Sequence, residues 1–342
     1  MRTLRSALVV TAGLFVALPP LAVAQSSSID LLNLTVSKAQ VIAGANVNAA
    51  KASPFGQYLL GKIQPSDPRL QEYISNTGFD PLNDVSEVVL STDSTPGPSA
   101  HWTVAAHGNF GMTRPRVEDQ AKSHGATIST VSGVEVIDVV PEQNTQAPHI
   151  CIAFWADLKT AAIGDCASVQ AAILQAQQAP SGALISAAQA GRAAQDFWFA
   201  SVLPLPKMAP TAPAGAPNPV APVLNNPLFQ KIQQTSGGVK FAGGNAPGVQ
   251  ATGAIVMDTP EDAASLLNVA NFFLSMAQGQ LQSAPGAAAG TATSLLKTLM
   301  LTQNGATVNV SLTIPEQTLE QMFEMAHQAG TQAEAHAQHR RR

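Results

Sequence analysis

The tetrapeptide Ser294-Leu295-Leu296-Lys297 has the spacing at which a lysine can activate a serine nucleophile on a helix. Enzymes that use this pair also need a Ser-x-Asn-type loop and a Lys-Thr-Gly strand after the serine. In this chain the nearest matches, at 75–76 and 159–161, come before the serine, and an alanine replaces the glycine of the second. The tetrapeptide alone is a weak sign of acyl transfer, and we predict no catalytic residue.

Two histidines could suggest a metal site, because His101 and His107 lie on the same face of a predicted strand. A separation of six strand residues at about 3.3 Å each places them roughly 20 Å apart, whereas ligands of one ion are near neighbours. The glycine-rich run at 243–248 joins two predicted strands, but a phosphate cradle needs a helix N-terminus behind its glycines. The sequence therefore predicts neither a metal site nor a cofactor site.

Cys151 and Cys166 are the two cysteines of the chain. Cys151 lies in a strand predicted over 149–155, and Cys166 follows a strand predicted over 160–165. The turn between these strands would pair Cys151 with about Ile163, so the two cysteines should be close but not directly opposite. They can form a disulfide, which an oxidising compartment favours, or remain two small buried apolar side chains.

Residues 1–24 have the composition of an export signal. Two arginines at its start precede an apolar run over 7–21 that is too short to span a bilayer stably, and Ala-Val-Ala at 22–24 precedes Gln25. We expect cleavage before Gln25, a periplasmic or secreted location in a bacterium, and no stable transmembrane segment after cleavage.

The charge of the chain argues against a nucleic-acid partner. It carries 18 basic and 22 acidic residues, a net charge of −4, and only 12% of its residues are charged. The part between the signal and the closing residues is more acidic still, because Arg2, Arg5 and the arginines at 340–342 lie outside it. Such a body repels a phosphate backbone. We expect residues 329–342 to form a disordered basic tail.

The predicted elements follow the same order in two halves. The first half has strand 40–47, a helix behind Ser53-Pro54, hairpin 85–92 and 102–110, helix 114–124, and hairpin 127–131 and 134–140. The second half has strand 197–203, a helix behind Asn226-Pro227, hairpin 239–242 and 249–258, helix 260–278, and a hairpin over 299–313. Both halves are β-α-β-β-α-β-β, which predicts an α+β fold of antiparallel sheets with helices packed on one face.

Composition predicts the boundaries of these halves. Pro180-Ser181-Gly182 separates two helices rich in alanine and glutamine, so we assign 25–183 to the first α+β repeat and 184–328 to the second. Within the second repeat, the segment 204–227 holds eight prolines. Because proline has no backbone N–H to donate, we expect this Pro/Ala-rich segment to be a long extended loop outside the sheet.

Several short motifs carry a resemblance to a known family. They are Val-Ile-Ala-Gly-Ala-Asn-Val at 41–47, Ala-Ser-Pro-Phe-Gly-Gln-Tyr at 52–58, Thr-Gly-Phe-Asp-Pro at 77–81, Gly-Val-Glu-Val-Ile at 133–137 and Ile-Gly-Asp at 163–165. On these motifs the chain resembles a family of uncharacterised exported bacterial proteins of acidobacterial type. The resemblance covers most of the mature chain. It implies the same duplicated α+β architecture and an envelope location, and it implies no activity.

Export, low charge, a duplicated scaffold and no complete catalytic motif together favour a non-enzymatic envelope protein. Its expected partner is either another envelope protein or a small apolar molecule held between sheet and helices. Two alternatives stay open. One is a hydrolase whose site is assembled from residues distant in sequence. The other is a purely structural component of the envelope.

Overall fold

The computed structural model describes residues 29–63, 68–95, 100–139, 149–204, 226–242, 248–283 and 287–321. The export signal predicted at 1–24 and the basic tail predicted at 329–342 lie outside these residues. So does most of the Pro/Ala-rich loop, of which only 204, 226 and 227 are described. These three assignments remain predictions.

Twelve strands of the described chain form one antiparallel sheet with the order β11-β12-β10-β9-β8-β1-β2-β3-β7-β6-β5-β4. The strands are β1 (Val41–Asn46), β2 (Val85–Thr92), β3 (Trp102–Gly108), β4 (Thr127–Val131), β5 (Val134–Val139), β6 (Ile150–Phe154), β7 (Thr160–Asp165), β8 (Phe197–Ser201), β9 (Ile232–Ala242), β10 (Gly248–Met257), β11 (Met300–Asn304) and β12 (Thr307–Pro315). The mixed α+β class is confirmed. The expectation of separate sheets is wrong, because β1 pairs with β8 and the sheet continues across the boundary predicted at 183.

Helices connect these strands. They are α1 (Val47–Ala52), α2 (Pro54–Ile63), α3 (Pro68–Thr77), α4 (Pro81–Asp84), α5 (Thr113–Ser123), α6 (Cys166–Gln175), α7 (Ala183–Ala194), α8 (Pro260–Ser283) and α9 (Ala287–Thr298), with 3-10 turns at Leu31–Leu34 and Pro227–Lys231. Residues 316–321 are also helical. Within the described ranges, none of the helices has an apolar stretch long enough to cross a membrane.

The helices pack on both faces of the sheet. The first face is the one that presents Ala105 of β3 and Ala153 of β6, which form a core with α6, α7 and the turn at 31–34. The second face is the one that presents Ala106 and Phe154, and these residues pack with α5. Because successive strand residues point to opposite faces, neighbours such as Ala105 and Ala106 serve different cores.

The expectation that helices cover a single face is therefore wrong. Burial on both faces is indicated by the sequences of β6 and β7. These strands, Ile-Cys-Ile-Ala-Phe and Thr-Ala-Ala-Ile-Gly-Asp, are apolar at adjacent positions rather than at alternate ones. Strands that are buried on both faces have such continuous apolar runs.

At the other end of the sheet, α8 covers the second face. Ile255 of β10 lies opposite Val308 of β12, and both contribute to a core with Ala263 and Leu266 of α8. The helix begins as predicted, since Thr259 Oγ1 accepts a hydrogen bond from the backbone N–H of Asp262 at 3.1 Å.

Two local predictions fail in the second half. The helix expected behind Asn226-Pro227 is only a five-residue 3-10 turn, and β9 begins at Ile232 instead of Val239. The polar residues 233–236 and the two glycines after them show no alternation of apolar side chains, so the sequence does not indicate a strand here. In the structure β8 and β10 pair with this segment on both sides.

Candidate functional site

A cleft of about 310 Å³ lies on the second face, between the start of α5 and the strands beneath it. This volume is at the lower end of the range that small-molecule sites occupy. Among the residues that line the cleft, Thr113 is the single one with a polar side chain. The lining residues are Phe79, Val85, Val88, Val104, Ala106, Phe110, Thr113, Val117, Ile152, Phe154, Ala161, Ala162 and Ile163.

Strand register builds the floor of the cleft. Ala106 of β3 lies between Val88 of β2 and Ala161 of β7, and Ala161 in turn lies opposite Phe154 of β6. These four residues form a row across the second face, and its two central members have only a methyl side chain. The small side chains of this row leave the space that the cleft occupies.

Helix α5 cannot fill that space. Its sequence is Thr-Arg-Pro-Arg-Val-Glu-Asp-Gln-Ala-Lys-Ser, and Val117 and Ala121 are the residues that it contributes to the core of this face. By contrast, α8 contributes Leu266 and Leu267 as well as Ala263 to its own core. The cleft therefore exists because a polar helix lies over a strongly apolar sheet.

Aromatic rings line the cleft beside α5. The ring centroids of Phe79 and Phe110 are 6.1 Å apart, and those of Phe110 and Phe154 are also 6.1 Å apart. Phe110 and Phe154 are buried, with 3% and 4% of their surface exposed. A fixed aromatic wall of this kind suits a flat apolar ligand.

Thr113 is the polar group of the cleft. It is 4% exposed, and within the described residues its Oγ1 has no hydrogen-bond partner. The hydroxyl does not cap α5, since Met112 is the N-cap residue and the N–H of Arg114 donates to the carbonyl of Phe110 at 2.9 Å. Buried hydroxyls without a partner are rare in proteins. In the described chain Thr113 and Thr235 carry the two hydroxyls of this kind, and Thr113 is the one that lines the cleft.

Arginine residues surround the start of α5. Arg114 donates from Nε to Glu118 at 2.5 Å and from a terminal nitrogen to Glu135 at 2.7 Å. The guanidinium of Arg116 lies against Gly78, next to Phe79 of the cleft, and a Cβ on that glycine would be 2.8 Å from it. The first turn of α5 holds no acidic residue.

Cys151 and Cys166 form a disulfide in the structure, with sulfur atoms 2.08 Å apart and Cα atoms 4.7 Å apart. The pairing partner expected for Cys151 differs by one residue, because it lies opposite Gly164 rather than Ile163. A shift of one residue exchanges the faces of a strand. Gly164 and Cys166 are two residues apart and therefore face the same side of the sheet. Because Cys151 lies opposite Gly164, it also faces that side.

Asp138 and His149 lie beside the disulfide. His149 Nδ1 is 3.1 Å from Asp138 Oδ1. A carboxylate oxygen of Asp138 and the two sulfur atoms lie close enough to one another that these three atoms could surround an ion. A cysteine binds a metal as a free thiolate, however, and both sulfur atoms here share one bond. The group is therefore a structural cross-link in the form that the structure shows.

His101 and His107 belong to different ion pairs. His101 Nδ1 lies 3.2 Å from Asp165, and the hydrogen bond that the imidazole donates to this carboxylate raises the pKa of His101. Burial raises the pKa of Asp165, but hydrogen bonds from Ser168 and the backbone N–H of Trp102 outweigh it, and its pKa is lower than usual. Ser168 and His101 both contact Asp165, whereas a triad needs the imidazole between serine and acid.

A second cluster connects the segment before β1 to the sheet. Arg192 of α7 donates two hydrogen bonds to Glu87 at 2.6 and 2.8 Å and a third to Asp30 at 2.5 Å. His107 Nδ1 lies 3.5 Å from Glu87, and its Nε2 is 2.8 Å from the carbonyl oxygen of Ile29. These bonds hold β2, β3, α7 and the segment at 29–30 together.

Ser294 and the buried tryptophans Trp155 and Trp198 have ordinary structural roles. Ser294 Oγ donates to the carbonyl of Gly290 at 3.0 Å, one turn back along α9. Trp155 and Trp198 are 6% and 4% exposed and belong to the first-face core. Residues 243–247 lie outside the described ranges, and β9 and β10 on either side of them pair as a hairpin.

The sequence predicts the strands of the cleft and α5 but not the cleft itself. One feature of the sequence could have indicated the cleft. The predicted helix has almost no large apolar side chains, whereas the strands beneath it are apolar at consecutive positions. Thr113 lay one residue before the helix predicted at 114–124 and gave no sign of its burial.

Comparison of the chain with protein-family models, with curated proteins and with solved structures found no match. The function is therefore inferred from the residues of this chain.

Proposed function

We propose that this chain is a non-enzymatic exported envelope protein that binds a small apolar molecule in the cleft beneath α5. The observation that carries the proposal is the lining of the cleft, in which a single hydroxyl lies among apolar side chains. Small-molecule sites are concave and mostly apolar, with a few placed polar groups. Of the two kinds of partner expected from the sequence, the cleft favours the small molecule.

The cleft favours binding over hydrolysis. Hydrolysis by a hydroxyl nucleophile requires a base within hydrogen-bonding reach of that hydroxyl. Thr113 Oγ1 has no such partner in the part of the chain that the structure describes. A bound molecule would therefore be held without being attacked by this residue.

Export and envelope location belong to the same proposal. Their support is the signal-like composition of residues 1–24 and the disulfide between Cys151 and Cys166, which an oxidising compartment maintains. Membership of the acidobacterial-type exported family is likewise proposed, on the motifs at 41–47, 52–58 and 77–81.

We also propose that the two halves derive from a duplicated unit. The strand order supports this, since β1-β2-β3 and β8-β9-β10 extend in opposite directions from the central β1–β8 pair. On this view α5 and α8 are equivalent helices on the second face. The cleft lies under α5, because the leucines of α8 fill the corresponding space between α8 and the sheet.

Naphthalene is a suitable probe, because its ten carbon atoms, at no more than about 30 Å³ each, fit within the cleft. We expect the mature chain to change naphthalene fluorescence saturably with one site. Ala161→Leu should abolish this binding by filling the centre of the floor. Ala193→Leu, at an exposed position of α7, is the matched control and should bind like the unsubstituted chain.

Thermal unfolding of both variants would show that each is folded. Saturable binding that survives Ala161→Leu would place the probe elsewhere and contradict the proposal, as would the absence of binding by the unsubstituted chain.

A further inference from the structure

We infer that the ligand of the cleft is an apolar carboxylic acid whose carboxylate accepts a hydrogen bond from the hydroxyl of Thr113. The inference rests on the proposed function and adds the chemical class of the ligand. Two independent observations carry it: an unpartnered buried hydroxyl in the cleft, and a helix start beside it whose first turn holds two arginines and no acidic residue.

The first observation is the state of Thr113. Its side chain is more than nine-tenths buried and lines the cleft, and in the described residues its Oγ1 bonds to no other group. The local helix end does not use the hydroxyl, because Met112 is the N-cap and Arg114 bonds to Phe110. Oγ1 itself has almost no accessible surface, so the side chain turns its hydroxyl towards the cleft when it meets a ligand acceptor atom. A carboxylate oxygen is the stronger acceptor since it is charged.

The second observation is the charge at the start of α5. A helix N-terminus carries a partial positive charge, and acidic side chains are usually found in its first turn. Here the first turn holds Arg114 and Arg116 and no acid. Glu118 and Glu135 pair with Arg114, but Arg116 is exposed, with its guanidinium beside Gly78 at the Phe79 end of the cleft. An anionic group bound at Thr113 gains attraction from the helix end, and the arginines of the first turn add positive charge to that end.

The other residues that line the cleft indicate the polarity of the part of the ligand outside the carboxylate. The floor residues Ala106 and Ala161 and the wall residues Phe110 and Phe154 offer no polar side-chain atoms. A molecule with one carboxylate and a compact apolar body fits this division, whereas a sugar or a peptide would leave most of its polar groups unpaired.

The test uses 2-naphthoate and naphthalene, which differ by the carboxylate, with the mature chain and two variants at Thr113. For Thr113→Val we expect the affinity for 2-naphthoate to fall about tenfold, because a hydrogen bond to a charged group is lost, while naphthalene affinity stays unchanged. Thr113→Ser keeps the hydroxyl and should retain 2-naphthoate binding. The ligand-free thermal midpoint of Thr113→Val should not decrease, since no bond within the chain is broken.

Several results would overturn the inference and leave the proposed function intact. One is naphthalene binding without 2-naphthoate binding. Another is equal binding of 2-naphthoate by the unsubstituted chain and Thr113→Val. A parallel loss of both ligands in Thr113→Val, with a lower thermal midpoint, would show that Thr113 has a structural role. Failure of the unsubstituted chain to bind either probe would contradict the proposed function itself.

Discussion

Gly44 of β1 lies directly opposite Trp198 of β8, and the indole ring occupies the space that a Cβ on residue 44 would need. Trp198 is 4% exposed, and its Cβ also lies close to Gly191 of α7. The ring is therefore enclosed between two glycines. This contact lies where the two predicted halves of the chain join into one sheet.

Gly44→Ala should destabilise the fold. The added methyl group would collide with a buried indole that has no free space to move into, and overpacking of this kind costs about 1–3 kcal/mol. Urea denaturation gives the free energy of unfolding. Gly61→Ala is the matched control, because a Cβ at this exposed position of α2 meets no atom within 4 Å. It should be neutral or stabilising, as alanine is a better helix former than glycine. Equal stability of Gly44→Ala and the unsubstituted chain would show that the β1–β8 junction is looser than described.

Loss of the disulfide should lower stability without changing the fold. Cys151 and Cys166 are separated by 15 residues in sequence, and closing a loop of that length is worth about 3 kcal/mol in the chain-entropy model. The Cys151→Ala, Cys166→Ala double variant should show this loss in urea. In the unsubstituted chain, iodoacetamide should modify the cysteines only after unfolding and reduction. Modification in the unfolded chain without a reductant would mean that the two thiols are free.

Two threonines should respond differently to replacement by valine. Thr103 is 1% exposed, donates to the carbonyl of Leu34 at 3.0 Å and lies 2.8 Å from the hydroxyl of Ser91. Thr103→Val leaves both groups buried without this partner and should cost about 1–3 kcal/mol. Thr113→Val should cost nothing or stabilise slightly, since Thr113 has no partner in the described chain. Equal losses measured by urea denaturation would mean that Thr113 has a bond within the protein.

The pair of His107 and Glu87 should make stability depend on pH. The hydrogen bond that His107 donates to Glu87 raises the pKa of His107 above its ordinary value of about 6.5. Its contribution to stability is therefore complete below about pH 6.5 and is lost as the pH rises through the folded-state pKa. Burial raises the pKa of Glu87, but hydrogen bonds from His107 and Arg192 outweigh it and the pKa is lowered. The Glu87 contribution is present above about pH 4.3 and is lost as the pH falls through its folded-state pKa.

His107→Gln tests the histidine part of this pair. The variant should lose more unfolding free energy at about pH 5.5 than at about pH 8.5, because only the protonated imidazole gains from Glu87. In a Glu87→Gln background, the same substitution should have a similar effect at both pH values. A loss that is independent of pH in the unsubstituted background would show that His107 acts only through its bond to Ile29.

Strands with strong local signals were predicted closely. The bounds predicted for β2, β4 and β7 agree with the structure, because each is a run of strand-forming residues between clear turn residues. The start of β9 was missed, since Gln233 and Gln234 followed by Thr235 and Ser236 have no apolar alternation. Its neighbours β8 and β10 determine that this segment is extended, and pairing with distant strands is invisible to a local pattern.

The candidate site was less accessible to sequence reasoning. The absence of a catalytic motif favours binding, and the local pattern predicts the apolar strands around Ala106 and Ala161. That these alanines lie side by side depends on the register of β3 with β7, whose residues are more than 50 positions apart in the chain. That Thr113 is buried depends on how α5 rests on those strands.

By itself, the sequence determined the mixed α+β class, most strands, the starts of α5 and α8, and the two cysteines able to pair. These features depend on the apolar period, the caps and the turn residues within short windows. The tertiary structure decided that the strands form one sheet, that helices cover both of its faces and that Cys151 faces Cys166. It also decided that the polar helix α5 leaves a cleft above a row of alanines. Each of these depends on register and packing between segments distant in sequence, and a shift of one residue would reverse the faces on which the cleft and the disulfide lie.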